Sequence, residues 1–153
     1  MDSNAQKILD QWAIIDVLSR YARGIDRKDA VLYRGCFTDE VDVDMGRGLE
    51  SGIPADVWVD QALSVVERYE ATQHIISNHV ISLESGQARC RAEVQAQHWN
   101  PTGAWKIGGH YEDHLMKTET GWRIQRLTLK IRWSETTGDA VAPGGPRPTP
   151  QPR

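Results

Sequence analysis

The second half of the chain carries four long strand patterns in succession, with no helical pattern between them. They cover roughly residues 72–83, 87–99, 105–118 and 122–133. The three connections are short and rich in Gly, Asn and Pro, which is typical of hairpin turns. Consecutive strands joined in this way predict one antiparallel sheet in which each strand pairs with the next.

The first half of the chain is mainly helical. Residues 4–26 place apolar side chains at helical spacing over five turns, at Ile8, Leu9, Trp12, Ile15, Leu18, Tyr21 or Ala22, and Ile25. Residues 29–37 predict a short second helix and residues 55–69 a third, with a short strand over 40–45 and a loop over 46–54 between them. Helices followed by a strand meander predict an α+β fold with the helices packed on one face of a curved sheet.

The chain is predicted to form one domain over residues 1–134, followed by a tail. Residues 135–153 hold five of the seven prolines, have little apolar content and show no period. No apolar run approaches the length of a membrane span, and the first residues lack a signal segment, which favours a cytoplasmic protein without membrane contact. The net charge is -3, and acidic and basic residues are interspersed along the chain. No basic face therefore predicts nucleic-acid binding.

Strand alternation indicates which side chains share the inner face of the sheet. Val94 and His98 fall with the small residues of the second long strand, and Tyr111 falls with the apolar set of the third. Leu129 and Trp133 fall on the apolar face of the last strand, while Arg132 falls on the opposite face. Both faces of the first long strand carry polar and apolar residues. An oligomer partner that covers the outer face of the sheet would account for Ile75 and Ile81 there.

Asp26 and His74 are the residues that predict chemistry. Asp26 ends the first helical pattern, and His74 lies on the first long strand pattern. A carboxylate that orients an imidazole makes it a usable base near neutral pH. The alternatives are a hydrogen-bonded core histidine and a carboxylate that faces water or caps the next helix. Tyr21 is a possible hydrogen-bond donor to substrate or a core aromatic, and it converges with Asp26 only if the helix loosens near Gly24.

No metal or cofactor is predicted. The acidic residues between 39 and 44 lack the glycine and the distal glutamate of a calcium loop. His110 and His114 share a strand face without an evident third ligand, and no glycine loop for phosphate is present. Cys36 and Cys90 belong to no metal-binding pair and are expected to be reduced and buried.

Several segments together resemble the SnoaL-like family of the nuclear-transport-factor-type superfamily. They are IDVLSRYARGID at 15–26, FTD at 37–39, TQHIISN at 72–78, GHYED at 109–113 and GWRI at 121–124. The resemblance covers about residues 5–134 and implies a cone-shaped α+β fold, in which a curved antiparallel or mixed sheet encloses a pocket with the N-terminal helices on its concave face. Members of this superfamily include dehydratases for scytalone and bile acids, hexachlorocyclohexane dehydrochlorinase, ketosteroid isomerase, polyketide cyclases and non-catalytic binding modules.

The resemblance also implies site residues. Dehydratases and dehydrochlorinases of this kind place an aspartate at the end of the first helix and a histidine on the long strand, which Asp26 and His74 match. Tyr21 matches a tyrosine of the bile acid enzyme, whereas the dehydrochlorinase has a lysine there. In scytalone dehydratase a tyrosine directly precedes the aspartate, and here Ile25 does.

The expected function is therefore a cofactor-independent lyase that eliminates water or hydrogen halide from a hydrophobic cyclic molecule. Asp26, His74 and Tyr21 are the expected catalytic residues, and the expected substrate contacts are Tyr111, His98, Val94, Leu129 and Trp133. The alternatives are an isomerase or cyclase with the same proton shuttle, and a non-catalytic binding module. The relatives imply a homo-oligomer, with a trimer ahead of a dimer.

Overall fold

The computed structural model describes residues 3–143, which form three helices and a six-stranded sheet. The helices are α1 Ser3–Asp26, α2 Ala30–Arg34 and α3 Ala55–Val66. The strands are β1 Phe37–Asp44, β2 Glu50–Pro54, β3 Ala71–Glu84, β4 Gln87–Asn100, β5 Gly103–Thr118 and β6 Gly121–Gly138. The sheet order is β2-β1-β6-β5-β4-β3. All neighbouring pairs are antiparallel except β1 with β6, so the sheet is mixed.

The predicted α+β fold is confirmed. The sheet is curved and does not close, and the helices pack against its inner face. β4 and β5 supply inner faces that alternate as the sequence predicted, with small buried side chains such as Ala92 and Ala96 on β4. These small residues leave space between the sheet and the helices.

The helix α1 buries only its C-terminal half. Ile14, Val17, Leu18, Tyr21 and Ile25 are at most 4% exposed, whereas Ile8, Leu9 and Trp12 are more than half exposed. A helix of 24 residues is about 36 Å long. The apolar period is therefore continuous in the sequence, but core packing covers only the part of the helix that ends at Asp26.

The strand β2 lies where the sequence predicted a loop. It is a short edge strand, and it contains Gly52 with a φ of +66° and ends at Pro54. Glycine and proline are signals for loops, and pairing with β1 overrides them here. The Asp44 carboxylate accepts the N–H groups of Gly46 and Gly48 at 2.9 and 3.2 Å, which stabilises the turn between the two strands.

A bulge in β3 resolves the mixed faces of this strand. Ser77 pairs with Glu93 and Val80 with Arg91, so two residues on β3 stand opposite one on β4. Asn78, at the bulge, has a φ of +54°, a conformation that asparagine tolerates better than most residues. The prediction that Ile81 lies on the outer face is wrong, because the bulge turns it inward opposite Cys90. Ile75 does lie on the outer face and is 49% exposed.

A second bulge, in β6, places Trp133 on the face opposite to the one predicted. Ile131 pairs with Gly109 and Trp133 with Gly108, so Arg132 is an extra residue and the alternation reverses after it. Trp133 therefore lies on the outer face, 49% exposed, and was wrongly predicted to line the pocket. A Cβ atom on Gly108 would clash with the Trp133 indole, so this glycine permits the ring to lie across the sheet.

The folded unit extends past the domain end expected at residue 134. β6 continues to Gly138, and Ala140 and Ala142 pack against the core. Residues 144–153 of the predicted tail lie outside the described residues. Among the described residues, no helix is long and apolar enough to cross a membrane.

Cys36, Cys90 and Asp113 are ionisable side chains that lie deep in the core. Cys36 and Cys90 are buried and form no disulfide, and burial raises their thiol pKa values to about 11 and about 12. Asp113 is 1% exposed on the inner face of β5. One of its oxygens, Oδ1, accepts the Thr128 N–H at 3.2 Å, while Oδ2 has no hydrogen-bond partner among residues 3–143. Burial raises the pKa of Asp113 well above its usual value, so its carboxyl group holds a proton more readily in the folded protein than in the unfolded chain.

Asp113→Asn is expected to stabilise the protein, and increasingly so as pH rises. In the unfolded chain Asp113 releases its proton above a pH of about 4, whereas burial makes the folded protein retain it to higher pH. The unfolded state then binds fewer protons, so wild-type stability falls as pH increases above that value. Asparagine is neutral in both states and keeps the acceptor for Thr128. The melting temperature of Asp113→Asn should exceed that of the wild type by more than about 3 °C at pH 8.

Calorimetry between pH 4 and pH 8 measures this difference, with Asp60→Asn on the exposed face of α3 as the matched control. The control should follow the wild type. A difference in melting temperature between Asp113→Asn and wild type that stays constant over this range would contradict the raised pKa of the buried Asp113 carboxyl group.

Candidate active site

Asp26 and His74 meet at the end of α1, as their spacing predicted. Asp26 Oδ1 lies 2.7 Å from His74 Nδ1, and Oδ2 accepts the main-chain N–H of His74 at 2.8 Å. The Thr72 hydroxyl donates to Oδ1 at 2.9 Å. The carboxylate is therefore fixed by three donors from β3, and the side chains of His74 and Asp26 are only 9% and 20% exposed.

The geometry determines the tautomer of His74. An ionised carboxylate only accepts hydrogen bonds, so the Nδ1 atom that faces Asp26 carries the ring proton. The other ring nitrogen, Nε2, then keeps its lone pair. Because His74 lines the main cavity, this nitrogen is available as a proton acceptor for a bound molecule.

The cavity between the helices and the sheet has a volume of about 280 Å³. Its walls are mainly apolar and aromatic, with Trp105 and Leu129 from the sheet and Trp58 and Val65 from α3 among them. Such a volume is near the lower end of the range of small-molecule sites. The cavity therefore suits one hydrophobic molecule that makes few polar contacts.

Two tyrosine hydroxyl groups meet in this cavity. Tyr21 and Tyr111 lie with their hydroxyl oxygens 3.2 Å apart, and the Tyr33 ring lies 5.1 Å from that of Tyr21. Burial raises the pKa values of Tyr21 and Tyr111 well above that of free tyrosine, so both remain hydrogen-bond donors. They can stabilise negative charge that develops on an oxygen or a leaving group.

Tyr21 reaches the cavity from a regular helix, without the loosening that the sequence suggested near Gly24. The helix continues to Asp26, and Gly24 instead permits close packing of α2. A Cβ atom at this glycine would lie 2.8 Å from the main-chain nitrogen of Tyr33. The glycine thus positions α2, and with it the third tyrosine of the cavity.

His98 packs beside the Asp26–His74 pair. Its ring stacks on Trp105 at 4.2 Å and meets the His74 ring edge-on at 5.4 Å. Burial, together with the nearby His74, lowers the pKa of His98 to about 4, so the ring is neutral at pH 7. Its Nδ1 lies 3.3 Å from the Trp105 carbonyl oxygen, to which it donates. A neutral neighbour of this kind fixes the orientation of His74 without competing for its proton.

The residues predicted to contact substrate differ in whether they line the cavity. Tyr111, His98 and Leu129 line the cavity, whereas Val94 is buried on the inner face without lining it. Sequence reasoning missed Tyr33 and Trp58, although both occur in predicted helices whose inner faces point to the sheet. Within residues 3–143, no group of three or more His, Cys, Asp or Glu side chains could hold a metal ion.

A family model for the SnoaL-like domain matches residues 6–128. The chain belongs to the SnoaL-like domain family. Among curated protein sequences, none matches this SnoaL-like protein significantly.

Solved structures resemble this SnoaL-like protein over most of its length. Kfla4162 from Kribbella flavida is 28% identical, with a TM-score of 0.80 over 84% of this chain and 95% of that chain. A candidate scytalone dehydratase from Novosphingobium aromaticivorans is 19% identical, with a TM-score of 0.77 over 98% and 99% of the two chains. Hexachlorocyclohexane dehydrochlorinase LinA-type3 from Novosphingobium barchaimii is 16% identical, with a TM-score of 0.74 over 97% and 100%. The last two similarities establish a shared fold.

Proposed function

We propose that this protein is a cofactor-independent lyase that eliminates water or hydrogen halide from a hydrophobic cyclic molecule. The observation that carries the proposal is the 2.7 Å contact between Asp26 and His74 at the wall of an apolar cavity. A carboxylate bonded to one nitrogen of an imidazole that lines the cavity is the arrangement that proton abstraction needs. The dehydratase and dehydrochlorinase names among the structural relatives agree with this reaction class.

In the proposed reaction, His74 Nε2 takes a proton from the carbon next to the one that bears the leaving group. The electron pair of that C–H bond becomes the new double bond, and the leaving group departs with its own pair. Asp26 stabilises the imidazolium that forms on His74. The Tyr21 hydroxyl, supported by Tyr111, donates to the leaving group or to a carbonyl oxygen of the substrate.

Substrate binding is assigned to the cavity wall. Leu129 and the stacked Trp105 and His98 offer flat apolar surfaces, and Tyr111 contributes a hydroxyl group. Val94 is buried on the same inner face without lining the cavity, so no direct substrate contact is assigned to it. Trp133 is not part of this proposal because it lies outside the cavity.

An isomerase or cyclase is the second candidate, and the Tyr21–Tyr111 pair is the observation that favours it. Two protonated hydroxyl groups 3.2 Å apart can hold an enolate oxygen while His74 moves a proton between carbons. A non-catalytic binding module would use the same apolar cavity but would have no need of an oriented base.

A substrate screen separates these functions. Purified protein is incubated with halogenated cyclohexanes, hydroxysteroids and phenolic polyketides, and products are identified by mass spectrometry and halide release. Loss of water or hydrogen halide supports the lyase. Rearrangement at constant mass indicates the isomerase or cyclase, and tight binding without conversion indicates the binding module.

We also propose that the protein is a homo-oligomer, with a trimer ahead of a dimer. The outer face of the sheet exposes about half or more of Ile75, Val80 and Trp133. Both signs of charge lie around them, with Arg132 paired to Glu93 and Arg91 to Glu112, so another copy can complement this face.

Light scattering at low micromolar concentration is expected to give a multiple of the 17.2 kDa chain mass. Trp133→Glu should shift this mass toward that of a single chain, because a charged side chain would be buried in the interface. A wild-type protein of 17.2 kDa under these conditions would contradict the oligomer.

A further inference from the structure

Residues 139–143, here called the strap, reach the wall of the cavity at Pro143. They follow β6, and the main-chain N–H of Asp139 donates to the Thr102 carbonyl oxygen at 3.0 Å. Ala140 and Ala142 pack against the core, and Pro143 lines the cavity. The strap is therefore part of the wall that a bound molecule would touch.

Two side chains from different parts of the chain donate hydrogen bonds to main-chain carbonyl groups of the strap. The Tyr69 hydroxyl, just after α3, donates to the Val141 carbonyl oxygen at 2.8 Å. The Arg47 guanidinium, from the turn between β1 and β2, donates to the Pro143 carbonyl oxygen. Both contacts are single hydrogen bonds to the main chain, and a net hydrogen bond changes an equilibrium only by a factor of about three to ten. Each contact can therefore be broken at small cost.

Tyr69 also contacts the catalytic pair indirectly. Its ring lies 5.1 Å from the His98 ring, and the His98 ring lies 5.4 Å from that of His74. Tyr69 is only 4% exposed, so this packing is fixed by its surroundings. One phenol side chain thus holds the strap with its hydroxyl and supports the His98–His74 contact with its ring.

We propose that the strap is a gate for ligand exchange and that Tyr69 is the positioning residue that closes it. The Tyr69 and Arg47 contacts keep the strap against the cavity, and their rupture opens the wall at Pro143. Closure excludes water from the proton acceptor on His74, while the ring of Tyr69 keeps His98 against it. This inference depends on the cavity as a ligand site and is independent of the reaction that takes place there.

The test is the dissociation rate of a neutral apolar fluorophore, N-phenyl-1-naphthylamine, from the full-length chain. Stopped-flow energy transfer from Trp58 and Trp105, which line the cavity, reports its departure. Tyr69→Phe retains the ring and removes the hydroxyl donor, and it should raise the dissociation rate about three- to tenfold. Arg47→Met, which removes the other contact, should raise it by a similar factor.

Arg20→Met is the matched control, because Arg20 pairs with Asp16 on α1 and is not among the residues that line the cavity within residues 3–143. It should leave the dissociation rate unchanged. If Tyr69→Phe and Arg47→Met both retain the wild-type rate, the gate is refuted. A lower melting temperature for Tyr69→Phe at an unchanged dissociation rate would likewise show a purely structural role. Since the fluorophore is not converted, a failed substrate screen would leave this inference standing.

Discussion

His74→Gln is expected to reduce kcat by about a thousandfold or more while the protein stays folded. Glutamine is similar in size and can still hydrogen-bond to Asp26, but its amide cannot accept a proton from carbon. General base catalysis typically contributes a factor of about 10² to 10⁴, and among residues 3–143 no second imidazole hydrogen-bonds to Asp26. The measurement is kcat on the substrate that the screen identifies, together with circular dichroism to confirm folding.

His114→Gln is the control for this substitution. His114 lies on β5 opposite Arg126 in a polar groove of the sheet, and it does not line the main cavity within residues 3–143. Its kcat should match that of the wild type. Undiminished elimination by His74→Ala would overturn the mechanism and would place the catalytic proton acceptor elsewhere.

Asp26→Asn is expected to cost at least about a hundredfold in kcat. The three donors around Asp26 leave no position that suits an amide NH₂ group. At Oδ2 it would oppose the His74 main-chain N–H, and at Oδ1 it would face His74 Nδ1 and the Thr72 hydroxyl. In the second orientation the imidazole can relieve the conflict by moving its proton to Nε2, which removes the base from the cavity. In either orientation, the negative charge that stabilises the imidazolium is lost.

The same conflict should also lower stability, by about 1–3 kcal/mol. The rate must therefore be compared at a temperature where circular dichroism shows both proteins folded. Asp16→Asn is a suitable control, because Asp16 lies on the same helix and pairs with exposed Arg20. A kcat for Asp26→Asn within about threefold of the wild type would show that the carboxylate charge is not used.

Strand faces could be predicted from the sequence only where the alternation is unbroken. β4 has no bulge toward β5, and the inner positions of Val94 and His98 follow from its pattern. In β3 and β6 one extra residue reverses the alternation, so Ile81 and Trp133 lie on the faces opposite to those expected. A bulge is a response to the curvature of the whole sheet, which a local pattern of apolar residues does not encode.

The site could be predicted in part for a similar reason. Asp26 and His74 each occupy a recognisable position, the end of a helix and a strand, so their meeting follows from the fold. The contact between Tyr69 and Val141 joins a residue after a helix to a segment without periodicity. Neither has a local signal, and only the tertiary structure brings them together. Most of the cavity wall comes from helices and strands that the sequence pattern predicts. The strap has no such pattern, so its position is known only from the tertiary structure.

The proton position on His74 tests the central claim most directly, and it requires no substrate. Long-range ¹H–¹⁵N correlation spectra of histidine-labelled protein at pH 8 distinguish the two neutral tautomers, and His74→Gln provides the assignment. The expected result is a proton on Nδ1 and an unprotonated Nε2, because the Asp26 carboxylate only accepts hydrogen bonds. A proton on Nε2 in the wild-type protein would contradict the account, because the cavity would then contain no base at that position.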